Sequence, residues 1–136
     1  TKALLTGYLV RDVLMTKYIR VKPEDTLGDV TQILLDGQDQ EFLVEEEGAI
    51  VGVLTPKSLL KGLSDFGKEA TVAQAMQRDF LTLYTDMPLM EVYHTMLTQN
   101  HSIGPVYEAG RLVGILDREN INERIMIDQA LAQGGT

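Results

Sequence analysis

Apolar residues follow two periods along this chain, and the alternation of those periods is itself repeated. Leu27, Val30 and Leu34 stand at i, i+3 and i+7, and so do Leu89, Val92 and Met96, so each trio marks one face of a helix turned toward a core. Each helix is followed by two short apolar runs, predicted as strands over 42–45 with 50–54 and over 105–107 with 112–116. Glu47-Gly48 and Ala109-Gly110 supply the hairpin turns between them. Ahead of each main helix come a short helix or turn, over 10–15 and 72–76, and a brief extended stretch, over 18–21 and 80–83. Asp25 or Thr26 can cap the first main helix, and Pro88 is placed in the first turn of the second, where a missing N–H costs nothing. A final helix closes each half. Thr55 before Pro56 starts the first, which is expected to end near Ser64, and Asp117 caps the second, which runs from Arg118 to about Ala132.

The order of elements is the same twice because the residues are. GAIVGVLT at 48–55 returns as GRLVGILD at 110–117, with every glycine displaced by 62 positions, and the same offset carries Leu27, Val30 and Leu34 onto Leu89, Val92 and Met96. Farther upstream, Met15 pairs with Met76 only if one residue is inserted before the helix. Two repeats follow, 1–66 and 67–136, separated by SDFGKEA, too short for a linker domain. They are expected to form one unit, since a half of about 60 residues buries little surface alone.

Composition narrows the function. The 136 residues carry a formal charge of −8, which opposes nucleic-acid binding, because that relies on clustered Lys and Arg displacing counterions. With no cysteine there is no disulfide framework, thiolate metal site or cysteine nucleophile, and a reducing compartment fits. No apolar run approaches the roughly 18 residues of a membrane span, and the opening TKALLTGYLV lacks a signal peptide's pattern. A soluble piece of a longer protein is expected.

The motifs VRDVLMT with TVAQAMQ, PEDTLGDV with TDMPLMEV, and the two Gly-x-x-x-Gly hairpins leading into a helix resemble those of the cystathionine β-synthase (CBS) domain family, over nearly the whole chain. The resemblance implies an α+β fold of two βαββα CBS repeats packed as a pseudo-twofold pair. LLDGQDQEFLVEEEGAIVGVLT and DRENINERIMIDQAL look, more narrowly, like the CBS pair that follows the membrane portion of bacterial site-2-protease-type zinc metallopeptidases. That likeness implies a cytosolic appendage, tied to a membrane only through its parent, without the His-Glu-x-x-His zinc motif.

CBS pairs commonly bind adenosine-containing ligands, so the resemblance implies AMP, ATP or S-adenosylmethionine. The family's contact motif is a Ser or Thr followed three positions later by an Asp that holds the ribose hydroxyls. The matching positions here are Thr55 with Ser58 and Asp117 with Asn120, so neither copy keeps that acid. Thr55, Lys57 and Ser58, at a helix N-terminus, could still hold an anion. Asp117 opposes one: two like charges about 4 Å apart repel by about 4 kcal/mol at intermediate dielectric, against about 1 kcal/mol returned by the helix terminus. The alternative is that all four residues only cap helices. Leu43 and Pro105 fall at equivalent strand positions where the family often lines its cleft. For Pro105 an edge strand is the competing reading.

Other constellations are weaker. His94 and His101 lack a third ligand for zinc, Glu45, Glu46 and Glu47 read as solvated charge at a turn, and Met76, Met87, Met90 and Met96 read as core. No nucleophile, base and acid combination or phosphate loop is legible, so no enzyme activity is expected. Two functions stay open: a regulatory sensor of an adenosine-type ligand, or a ligand-free domain that dimerises or positions its parent. The family implies a homodimer through the helices flanking each hairpin, with Leu59, Leu63, Ile121 and Ile125 at the interface.

Overall fold

The two hairpin turns set the frame. Glu47, Gly48, Ala109 and Gly110 all adopt positive φ, between 51° and 82°, the two-residue geometry that matches the twist of paired strands. The turns join β2 (Phe42–Glu46) to β3 (Ala49–Leu54) and β5 (Ile103–Glu108) to β6 (Arg111–Asp117). A parallel strand completes each sheet, β1 (Ile19–Val21) beside β2 and β4 (Leu83–Tyr84) beside β5, in the orders β1-β2-β3 and β4-β5-β6. The computed structural model describes residues 5–37 and 41–134, so part of the LLDGQDQ stretch lies outside the described residues.

The helices begin where polar caps permit. Thr26 starts α1 (Leu27–Asp36), its Oγ1 accepting from the Asp29 N–H at 3.1 Å. In the second repeat α4 (Leu89–Thr98) opens directly after Pro88, which therefore sits at the cap itself and not in the first turn. The helix α2 (Pro56–Phe66) outruns its expected end near Ser64 and stops at Gly67, whose φ of 84° an L side chain would resist. The last helix, α5, spans Arg118–Gly134. Two short pieces remain, a 3-10 turn at Val10–Asp12 and α3 (Val72–Ala75).

The chain forms two compact units, and their division differs from that of the sequence repeats. Lys17–Phe80 make one unit, and the residues up to Thr16 join those from Leu81 onward in the other. Each sheet is therefore closed by the short opening element of the other repeat. In the Lys17–Phe80 unit, Val72 is fully buried with Phe42, Leu54 and Leu59, and its N–H donates to the Asp25 carbonyl at 2.8 Å. In the other, Val10 is fully buried with Leu89, Val106 and Ile121, and its N–H donates to the Met87 carbonyl at 3.0 Å.

This exchange corrects one expectation. The bridges Met15 to Ile115 and Gln77 to Val53 are equivalent, so Met15 matches Gln77, 62 positions on, and no inserted residue is needed. Met76 corresponds instead to Leu14. Each packs against the middle glycine of a hairpin: a β-carbon on Gly52 would lie 2.7 Å from Met76 Sδ, and one on Gly114 would lie 2.8 Å from Leu14 Cδ1.

Candidate functional site

In the Lys17–Phe80 unit the sequence-predicted residues gather at the end of β3. Leu43 stands on the central strand β2, opposite Val53 on β3 and Arg20 on β1, and is fully buried. Thr55 caps α2. Its Oγ1 accepts from the Ser58 N–H at 3.1 Å, while Ser58 Oγ accepts from the Thr55 N–H at 2.8 Å and lies 3.1 Å from the Thr55 carbonyl oxygen, to which it donates. The capping box thus engages both hydroxyls, which stand 3.1 Å apart and remain half-buried. Lys57, the second residue of α2, is exposed and adds a cation at a positive helix end.

In the other unit the matching residues are spent differently. Pro105 is buried on β5, opposite Ile115 of β6. Since β5 is the central strand, the edge-strand reading does not hold. The proline is tolerated because the parallel ladder with β4 starts one residue later, at Leu83 with Val106, whereas in the first sheet Leu43 is paired with Arg20. Asp117 Oδ1 accepts from the Glu119 N–H at 2.8 Å, so the carboxylate caps α5 as expected. Asn120 donates from Nδ2 to the Val13 carbonyl at 3.2 Å, tying the chain's opening segment to α5. Arg118 does not neutralise Asp117 here: its N–H donates to the Ser102 carbonyl at 2.9 Å and its guanidinium to the Met96 carbonyl, the latter at the end of α4.

The proposed interface residues divide. Leu59, Ile121 and Ile125 are buried in the cores of their own units, at 1%, 0% and 9% exposure, and have no area to offer a second copy. Helix periodicity marks an apolar face but not whether a neighbour within the unit already covers it. Leu63 is half-buried. The apolar side chains that α2 and α5 leave in solvent are Leu60, Phe66, Met126, Ile127 and Leu131.

Sequence reasoning missed the polar cavities at the turn end of each sheet. One, of about 420 Å³, is lined by Arg20, Lys22, Glu24 and Glu45 to Glu47, and Arg20 is paired with Glu45 at 2.7 Å. Its counterpart, of about 450 Å³, is lined by Arg11, Tyr84, Thr85, Asp86, Tyr107 and Glu108, with Thr85 donating to Glu108 at 3.0 Å. None of the sequence-predicted ligand residues lines either. Their ion pairs, Arg20 with Glu45 and Arg11 with Glu108, join residues far apart in sequence, a pattern without local spacing.

Comparison with known proteins gives a family model, described as the CBS domain, that matches residues 10–65 and again 72–127. A curated relative, the A-adding tRNA nucleotidyltransferase of Aquifex aeolicus, is 25% identical over 134 residues, covering 88% of this chain and 16% of the relative. The chain spans only 16% to 25% of the length of the curated relatives it matches. Among solved structures, a CBS domain pair in complex with 5′-methylthioadenosine and S-adenosyl-L-methionine has a TM-score of 0.77 at 27% identity, covering 88% of this chain and 97% of that one. The protein CBSX2 in complex with AMP has a TM-score of 0.72 at 25% identity, covering 90% and 99%.

Proposed function

Because the chain belongs to the CBS domain family, of which it holds two copies, we propose that it is a regulatory module, without catalysis of its own, that binds an adenosine-type ligand for a larger protein. The observation that carries this reading is the fold likeness to CBS pairs solved with adenosine derivatives. The local chemistry adds a preference. Asp117 is not paired with Arg118, so that half disfavours a phosphate. S-adenosylmethionine or a neutral nucleoside is therefore expected to bind more tightly than ATP.

Thermal melting of the purified chain with AMP, ATP, adenosine and S-adenosylmethionine tests it. A millimolar ligand with micromolar affinity stabilises the native state by about 4 kcal/mol. A shift with at least one of the four is the expected result, and no shift with any of them overturns the reading.

A second reading has its own support. Thr55, Ser58, Asp117 and Asn120 all make hydrogen bonds inside their own unit, as a domain without ligand would have them. In that case the module serves to dimerise or to position its parent. Self-association would use Met126, Ile127 and Leu131, exposed apolar residues of α5. For the parent, the likeness of LLDGQDQEFLVEEEGAIVGVLT and DRENINERIMIDQAL supports a site-2-protease-type membrane zinc peptidase, with this module on its cytosolic side. Finding a His-Glu-x-x-His segment in the same polypeptide tests that part.

A further inference from the structure

The inward face of α5 changes character along its length. Ile121 and Ile125 are buried, but the next residue on that face is Asp128. From Met126 to Gly134 every described residue except Asp128 is exposed. Asp128 is held by two groups. It accepts from the Tyr8 hydroxyl through Oδ2 and from Arg124 Nε through Oδ1 at 3.4 Å, and the Arg124 guanidinium lies 5.7 Å from the centre of the Tyr8 ring.

Tyr8 is by contrast firmly placed. Its carbonyl accepts from the Leu89 N–H at 2.9 Å, and Leu5 and Val10 on either side of it are buried in the core. A cavity of about 420 Å³, lined by Thr6, Gly7, Tyr8, Asp12 and Arg124, opens beside the cluster, so this seam is polar and loosely filled. A helix segment held by such a seam, and not by buried apolar side chains, opens at low free-energy cost.

We propose that Tyr8 and Asp128 form a latch, and that α5 beyond Ile125 is an arm that undocks when they part. The arm carries Met126, Ile127 and Leu131, so its position decides where that apolar stripe is presented. The latch sits on the segment whose Val13 carbonyl holds Asn120, so the arm and a candidate ligand residue share one support. A displacement of that segment would reach both.

Amide hydrogen exchange on the whole chain tests the latch. Tyr8→Phe removes the hydroxyl and keeps the ring, and should speed exchange of the amides of residues 129–133 about fivefold, leaving those of Val106 and Ile115 at wild-type rates. Asp128→Asn, which retains an acceptor oxygen, should speed them less. Unchanged rates in Tyr8→Phe overturn the latch, as does equal acceleration in sheet and arm, which would make Tyr8 a general support. An arm already unprotected in the wild type overturns it too.

Discussion

Gly114 and Met15 approach so closely that a β-carbon on the glycine would lie 2.4 Å from the Met15 carbonyl oxygen. The contact exists because Met15 and Ile115 exchange backbone hydrogen bonds of 2.8 Å in both directions, closing the opening segment onto β6. Gly114→Ala is expected to destabilise this unit by roughly 1–3 kcal/mol, since backbone has to move. Gly52→Ala meets the flexible Met76 thioether first, at 2.7 Å, and should cost less. Urea unfolding of the two variants gives the order, and a smaller loss for Gly114→Ala contradicts this account.

Thr55 separates capping from binding. Thr55→Ala should lower stability by about 1 kcal/mol through the lost cap, whether or not a ligand exists. If the hydroxyl also contacts ligand, the stabilisation by S-adenosylmethionine should fall as well. An unchanged ligand shift in Thr55→Ala leaves that side chain a cap alone.

Asn120→Asp restores the acid of the family motif at the expense of a tether. The carboxylate cannot donate to the Val13 carbonyl, which the amide now reaches at 3.2 Å, so stability should drop by about 1–3 kcal/mol. Adenosine affinity should rise in the same variant, because ribose hydroxyls gain a charged acceptor. Calorimetric titration with adenosine measures the gain. Weaker binding by the Asp variant would remove Asn120 from the candidate site.

The latch has a pH signature. The hydrogen bond to Asp128 raises the Tyr8 pKa above the usual tyrosine value, helped by burial and by the Asp128 charge and opposed by Arg124. A raised folded value means that this contribution is whole below the unfolded pKa of about 10 and is lost as pH climbs through the folded one. Tyrosinate absorbance, taken as the difference between wild type and Tyr8→Phe, should therefore show Tyr8 ionising above the usual tyrosine value of about 10. Ionisation of Tyr8 at or below the usual tyrosine value contradicts the latch geometry.

Self-association gives a further check on α5. If the module dimerises, replacing Met126 and Leu131, 67% and 68% exposed, with glutamate should shift sedimentation toward monomer without loss of stability. Ile125→Glu should instead unfold the unit, because that side chain is in the core. An unchanged assembly in the double variant would exclude this helix face.

The repeat made the elements legible. Periods of 3.6 and 2, read twice at an offset of 62, placed both main helices, both hairpins and the polar caps Thr55 and Asp117. Those features depend on residues a few positions apart, where spacing alone decides which side chains share a face. Where an apolar face ends up is not a local matter. The family resemblance assigns Leu59, Ile121 and Ile125 to an interface between copies, yet they are core, because other segments of their own units cover them.

Through local pattern, then, the amino-acid order by itself determined the repeated order of elements, both hairpins and the helix starts at Thr55 and Asp117. Tertiary structure alone decided which opening segment closes which sheet, since Val10 and Val72 are equally apolar and only the fit against Met87 or Asp25 assigns each its place. It also decided what Asn120 and Asp128 do. Their partners, Val13 and Tyr8, lie 107 and 120 positions away, and a hydrogen bond across that distance exists only once the chain has brought both ends together.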